Sequence, residues 1–189
     1  MNSISRLQQV LQGVPRGAFN NVVDSHNGNR HSKRFDCWDQ LVAMLYVQLS
    51  GTSSLRQLEA GFNAQASHHY HLGTGYVRKS TLADANKKRS PLIFAQLLQM
   101  LIQHAGRSIR GQREELLYLI DASTVQVPAA CQNLRGHASA QGNHGVKLHL
   151  LLELGSAAVA GASITPAYVN DVTEGRKIAI ETGASYVFD

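Results

Sequence analysis

The 189-residue chain is poor in cysteine: Cys37 and Cys131 are the only two. Two thiols build no disulfide framework and match no zinc-ligand spacing, so they read as free thiols of a reducing compartment. Long hydrophobic runs are also missing. No apolar stretch approaches the length of about 20 residues that a membrane span needs. Met1-Asn2-Ser3-Ile4-Ser5-Arg6 lacks the apolar core of a signal peptide. These absences predict a cytoplasmic protein with no membrane partner. Acids are scarce in one region above all. Between Arg78 and Arg113 the cations Arg78, Lys79, Lys87, Lys88, Arg89, Arg107, Arg110 and Arg113 are opposed by Asp84 alone. Solvated helix faces usually interleave both signs. This one-sided run is instead the footprint of a surface that tracks phosphates. The net charge of +5 and pI near 9.4 point the same way, toward an anionic partner and nucleic acid first. What remains is ordinary for a folded chain: 43% hydrophobic and 16% charged residues exclude wholesale disorder.

Apolar residues at helical spacing come first. Ile4, Leu7, Leu11 and Val14 predict an amphipathic helix that Gly13 and Pro15 end. Asn20 to Arg34 turns polar and basic and predicts a turn-rich loop. Its cations Arg30, Lys33 and Arg34 either meet phosphates or are merely solvated. Asp36 predicts an N-cap for a helix from Trp38 to Leu49, apolar around most of its circumference, with Gly51 as the C′ residue. Ser53 or Ser54 caps a short helix, Leu55 to Ala60, that Gly61 closes. That pair is compatible with a helix-turn-helix reader, and equally with a structural bundle. His68, His69 and His71 have no Cys or acid nearby to complete a tetrahedral zinc set, so they predict a polar loop. Ser80 predicts the cap of another short helix between Arg78-Lys79 and Lys87-Lys88-Arg89. Ser90-Pro91 then opens a firm helix through Leu101 and Ile102 to Gly106. The composition changes beyond it, which predicts a helical, basic, DNA-binding region over 1–112 and a second domain over 113–189.

Leu116-Leu117-Tyr118-Leu119-Ile120 predicts a strand buried on both faces. The alternating Thr124-Val125-Gln126-Val127 predicts a second. Asp121 then stands where a buried strand gives out. It is there either as a metal-ligating carboxylate on a rigid frame or as a turn former together with Ser123. Pro128 to Gly145 predicts a long loop. Strands follow over Val146–Glu153 and Ala157–Thr165. Asp171 and Glu174 have capping-box spacing, opening a helix to about Thr182, and a final strand runs into Asp189. Lys147 and His149 share one face of their strand with Leu151, in a structural role or near a phosphate. The fold class expected is α+β: a helical bundle, then an α/β layer with a mixed sheet.

Tyr118-Leu119-Ile120-Asp121-Ala122-Ser123-Thr124, Gly145-Val146-Lys147-Leu148-His149-Leu150, Asn170-Asp171-Val172 and Tyr186-Val187-Phe188-Asp189, in that order and at those intervals, resemble the insertion-sequence-four group of bacterial DDE transposases. Trp38 to Phe62, and Ser80 to Asn86 with the basic run to Arg89, are similar to the N-terminal region common in that group. The resemblance implies an RNase-H-like core in which Asp121 and Asp189 are the first and second catalytic, metal-binding acids. It implies Mg2+ or Mn2+ as cofactor and the double-stranded terminal repeats of a mobile element as partner. Phosphates would be met by Arg30, Lys33, Arg34, Arg78, Lys79, Lys87, Lys88 and Arg89. The chemistry suits that set, since two divalent ions about 4 Å apart clamp the attacking and leaving oxygens of an in-line displacement. The group also carries a third acid, a glutamate on a later helix, which Glu153, Glu174 and Glu181 do not match. The expectation is therefore a transposase truncated before its third acid, inactive alone, binding metal weakly, with a homodimer or a full-length transposase as a further partner. The alternatives are a DNA-binding fragment that occupies transposon ends and inhibits a full-length relative, or a decaying product with no function.

Overall fold

The structure is a computed structural model that describes residues 3–109, 116–126 and 145–188. It is α+β, as expected. The chain divides into two compact units, Met1–Leu98 and Gln99–Asp189. The boundary expected between 112 and 113 lies outside the described residues, as does the loop expected over 128–145 except for Gly145, which already belongs to a strand.

The first unit is helical. Helix α1 (Ser3–Gln12) buries Ile4, Leu7 and Leu11, one apolar stripe at helical spacing. Helix α2 (Arg16–Ser25) corrects the expectation of a loop from Asn20 onward. Its Asn and Gly content is poor for a helix. Phe19 and Val23, four residues apart, are nevertheless almost wholly buried, and the Phe19 ring packs 6.0 Å from Trp38 and 6.3 Å from Phe94. Packing of an apolar face outweighs weak propensity here.

Helix α3 (Cys37–Ser50) is the centre of this unit, with eight of its residues buried. Asp36 caps it as expected, in a reciprocal box with Asp39: each carboxylate accepts the other's backbone N–H, at 2.8 and 2.9 Å. The second oxygen of Asp39 accepts from the Thr74 hydroxyl at 2.6 Å, tying a distant loop to the helix start. Gly51 takes φ 66°, the left-handed C′ conformation that a side chain would strain.

Ser54 caps α4 (Leu55–Asn63), which runs straight through Gly61 instead of stopping there. A Cβ at Gly61 would lie 2.9 Å from the Tyr46 hydroxyl, so this glycine serves close packing rather than termination. After a 3-10 turn (Ala66–His68), α5 (His69–Leu72) corrects the polar loop expected for the histidines. His69 is buried, stacked 4.5 Å from Phe62, with Nε2 3.1 Å from the Phe62 carbonyl oxygen.

Helix α6 (Lys79–Lys88) starts from Arg78, not Ser80, and no side chain caps it. Helix α7 (Leu92–Ile109) follows Ser90-Pro91, with the Ser90 hydroxyl accepting from the Leu92 N–H at 3.3 Å. It continues past the expected stop at Gly106. Among the described residues no helix is long and apolar enough to cross a membrane.

The second unit holds a four-stranded mixed sheet in the order β3-β2-β1-β4. The two short strands expected over 116–127 are one strand, β1 (Leu116–Gln126). Antiparallel β2 (Gly145–Glu153) pairs with it from Tyr118↔Glu153 to Gln126↔Gly145, so no turn interrupts the ladder at Asp121. Nor is β1 buried on both faces: Tyr118 and Ile120 are buried while Leu117 is exposed. Strand β3 (Ala158–Pro166) pairs antiparallel with β2, with a bulge between Leu151 and Leu152. The helix expected to reach Thr182 is a five-residue α8 (Asp171–Gly175), and Ile180, beyond its end, is exposed. Strand β4 (Ala184–Phe188) runs parallel to β1, from Leu116↔Ala184 to Ile120↔Phe188.

Candidate nucleic-acid interface and carboxylate site

Asp121 lies inside β1, opposite Leu150, and not at a strand end. Its carboxylate is exposed, and one oxygen accepts from the Ala122 N–H at 2.7 Å. A strand backbone on a paired ladder still supplies the rigid frame the chemistry wants. Parallel pairing sets Ile120 beside Phe188, the residues immediately before Asp121 and Asp189 in the sequence. Asp189 itself lies outside the described residues.

Asp121 lines a cavity of about 560 Å³ with Ile120, Phe188, Asp171 and Arg176. Asp171 is not the cap that the capping-box spacing suggested. Asn170 caps α8 by accepting from the Val172 N–H, which leaves the Asp171 carboxylate free to pair with Lys147 at 3.0 Å and His149 Nδ1 at 3.4 Å. His149 is buried, with Nε2 2.8 Å from the Thr165 hydroxyl, and Lys147 also donates to the Val169 carbonyl at 3.1 Å. These three side chains hold the start of α8 against β2. Each of the three glutamates has a side-chain partner. Glu153 accepts from Ser156, Glu181 accepts from the Tyr118 hydroxyl, and Glu174 accepts from Lys177 at 2.6 Å. The Lys177 bond, helped by one from Ser163, holds the Glu174 carboxyl below the usual carboxylate range.

A divalent cation such as Mg2+ takes a full shell of oxygens, usually one or two carboxylates plus waters and phosphate. Asp121 is a donor of the right chemistry. Among the described residues no group of three or more His, Cys, Asp or Glu is placed to hold an ion.

The nominated cations fall in the first unit. Arg30, Lys33 and Arg34 stand exposed on the turns between α2 and α3. Arg78 and Lys79 are exposed at the start of α6, and Lys87 and Lys88 at its end, where cations complement the helix dipole. The two basic stretches, more than 40 residues apart in sequence, meet. Arg30, Lys33 and Arg34 line one open groove of about 800 Å³ with Lys88 and Arg89, and the acid on its wall is Asp84. Arg78, Lys79 and Lys87 do not line it.

Arg89 is different from the rest. Its guanidinium donates to the Asp36 carbonyl at 2.8 Å, to Gln40 Oε1 at 2.9 Å, to the Ser32 hydroxyl at 2.9 Å and to the Phe35 carbonyl. It also lies 5.5 Å from the centroid of the Phe35 ring. Its planar fork is spent on the turn that carries the other cations. The sequence run of basic residues hides that distinction, because the four partners lie 49 to 57 residues away.

Comparison with known proteins places parts of the chain beside two others. The model of a family described as a domain of unknown function (DUF4372) matches residues 2–75. Over 109 residues the chain is 37% identical to a Sinorhizobium fredii protein described as "Putative transposase y4zB". That alignment covers 57% of this chain and 30% of the relative, so the chain spans less than a third of the relative's length. Over more than half of its residues, the chain is thus related to a protein described as a transposase.

Proposed function

We propose that the chain is part of a DDE-type transposase, with an RNase-H-like second unit and DNA as the partner of both units. The observation that carries this reading is the parallel β1–β4 pairing, in which Ile120 and Phe188 lie side by side and each precedes a nominated acid. The β3-β2-β1-β4 order, antiparallel until its last strand, supports it, as does the similarity to a protein described as a transposase. Asp121 and Asp189 would hold the divalent cation, which when bound supplies charge neutralisation and an activated water at the scissile phosphate. The chain's own part is to fix Asp121 on β1, beside the β4 strand that immediately precedes Asp189 in the sequence, and to keep α8 in place through Lys147, His149 and Asp171.

Titration with Mn2+ followed by electron paramagnetic resonance tests this directly. The expected result is a Mn2+ site lost in both Asp121→Asn and Asp189→Asn and kept in Glu153→Gln. Unchanged Mn2+ binding in Asp121→Asn would sink the carboxylate assignment. The basic groove favours a second reading, a DNA-binding protein that occupies mobile-element ends without cutting them. On that reading binding to duplex is indifferent to both aspartates and to the metal.

A further inference from the structure

We infer that the groove between the α2–α3 turns and the last turn of α6, and not the α3–α4 pair, is where the helical unit grips duplex DNA, and that it does so by the phosphate backbone. The inference rests on the DNA reading above and names its surface. The α3–α4 pair is the arrangement a helix-turn-helix reader would use, with α4 presented to the major groove. Its chemistry is wrong for that task. Helix α4 carries one cation, Arg56, offset by Glu59, and α3 is buried at eight positions. The groove carries the charge instead, with Arg30, Lys33, Arg34 and Lys88 exposed along it.

Those cations stand on a built platform, not a slack loop. Gly28 is pressed so closely onto the core that a Cβ there would lie 2.6 Å from Ile93 Cδ1 and 2.9 Å from Cys37 Sγ. The Asn29 side chain accepts from the Cys37 N–H at 2.8 Å, and Phe35 is buried. Asn27 and His31 take positive φ of 51° and 64°, which bends the segment back on itself. Arg89 then fastens Ser32, Phe35 and Asp36 to the end of α6. A backbone fixed in place before binding leaves only the side chains to be ordered on meeting phosphates. Four exposed cations on one open groove of about 800 Å³ fit the repeated charges of a nucleic-acid backbone better than a single small anion.

The test is duplex binding by the full chain, followed by fluorescence anisotropy across a salt series in EDTA, so that no metal chemistry contributes. Each of Arg30→Ala, Lys33→Ala, Arg34→Ala and Lys88→Ala should flatten the slope of log K against log salt by about 0.9. The quadruple variant should lose nearly all of its salt-sensitive affinity, while Arg56→Ala on α4 leaves the slope unchanged. Arg89→Lys keeps the charge but gives up the fork, and should weaken binding with no change in net charge. Trp38 emission checks that every variant is folded. A quadruple variant with the parent slope, an Arg56→Ala loss, or a preference for single strands would overturn the inference and leave the transposase reading standing. A parent chain that binds no duplex at low salt would remove the DNA reading itself.

Discussion

The two units spend their apolar residues differently. Among the described residues, every one of the largest fully buried side chains, from Phe19, Phe62 and Leu7 to Ile93 and Val42, belongs to the first unit. The sheet of the second buries Tyr118 and Ile120 but exposes Val125, Ile164, Val187 and Phe188. The first unit therefore draws its stability from dense packing around α3. The second draws relatively more from ladder hydrogen bonds and a few polar pairs, each of which is worth only about 1 kcal/mol net. The proposed DNA-binding groove sits on the well-packed half, and the nominated acid sits on the sparsely packed half. Rigidity under the cations and looser support under the carboxylate are what this division provides.

The contrast breaks most sharply at a core position. Phe62→Ala should cost the first unit about 3–5 kcal/mol, since Phe62 is fully buried between Tyr46 and His69. Ile164→Ala, at 68% exposure in the sheet, should stay within about 0.5 kcal/mol. Trp38 is the sole tryptophan and lies in the first unit, so urea melts by its emission read that unit alone, with circular dichroism reporting both. Equal losses from the two variants would erase the comparison. A smaller effect sharpens it: Asp36→Ala removes the cap of α3 and should cost about 1 kcal/mol in the same Trp38 melt.

The smallest effect is one of pH, in the second unit. The Glu174 carboxyl is depressed in the folded chain, chiefly by the Lys177 bond. A depressed carboxyl contributes stability above its unfolded value and loses it as pH falls through the folded one. The sheet's melt should therefore weaken slightly more on acidification in the parent chain than in Glu174→Gln, while the Trp38 transition is the same in both. An identical acid response of the sheet in the two proteins would remove the Glu174 contribution.

Much of the first unit was legible because its signals are local. The Asp36 cap, the Gly51 stop, the α1 stripe and the Ser90-Pro91 start each rest on residues within one turn of each other. Helix α2 was hidden because its reason to exist is the burial of Phe19 and Val23 against α3 and α7, which no local pattern of Asn and Gly discloses. Gly61 looked like a stop for the same reason: its purpose is the Tyr46 hydroxyl, fifteen residues away. In the second unit the strands were legible by their apolar runs. The continuity of β1 through Asp121 depends on β2 lying beside it, and Asp121 alone reads as a break. Asp171 had the spacing of a capping acid, yet Asn170 took that task because the Lys147 and His149 side chains compete for the carboxylate. Of the candidate site, the basic residues could be named from the sequence. Which of them line one groove, and that Arg89 braces it, could not.

The burial of Cys37 beneath that turn has a consequence in time rather than in energy. Its sulfur is covered by Gly28, and burial pushes its thiol up from the ordinary value, so reagents reach it only when the covering segment lifts. The alkylation rate of Cys37, distinguished from that of Cys131 by peptide mapping, is then a clock for how often the platform opens. If DNA lies across the platform, the clock should slow.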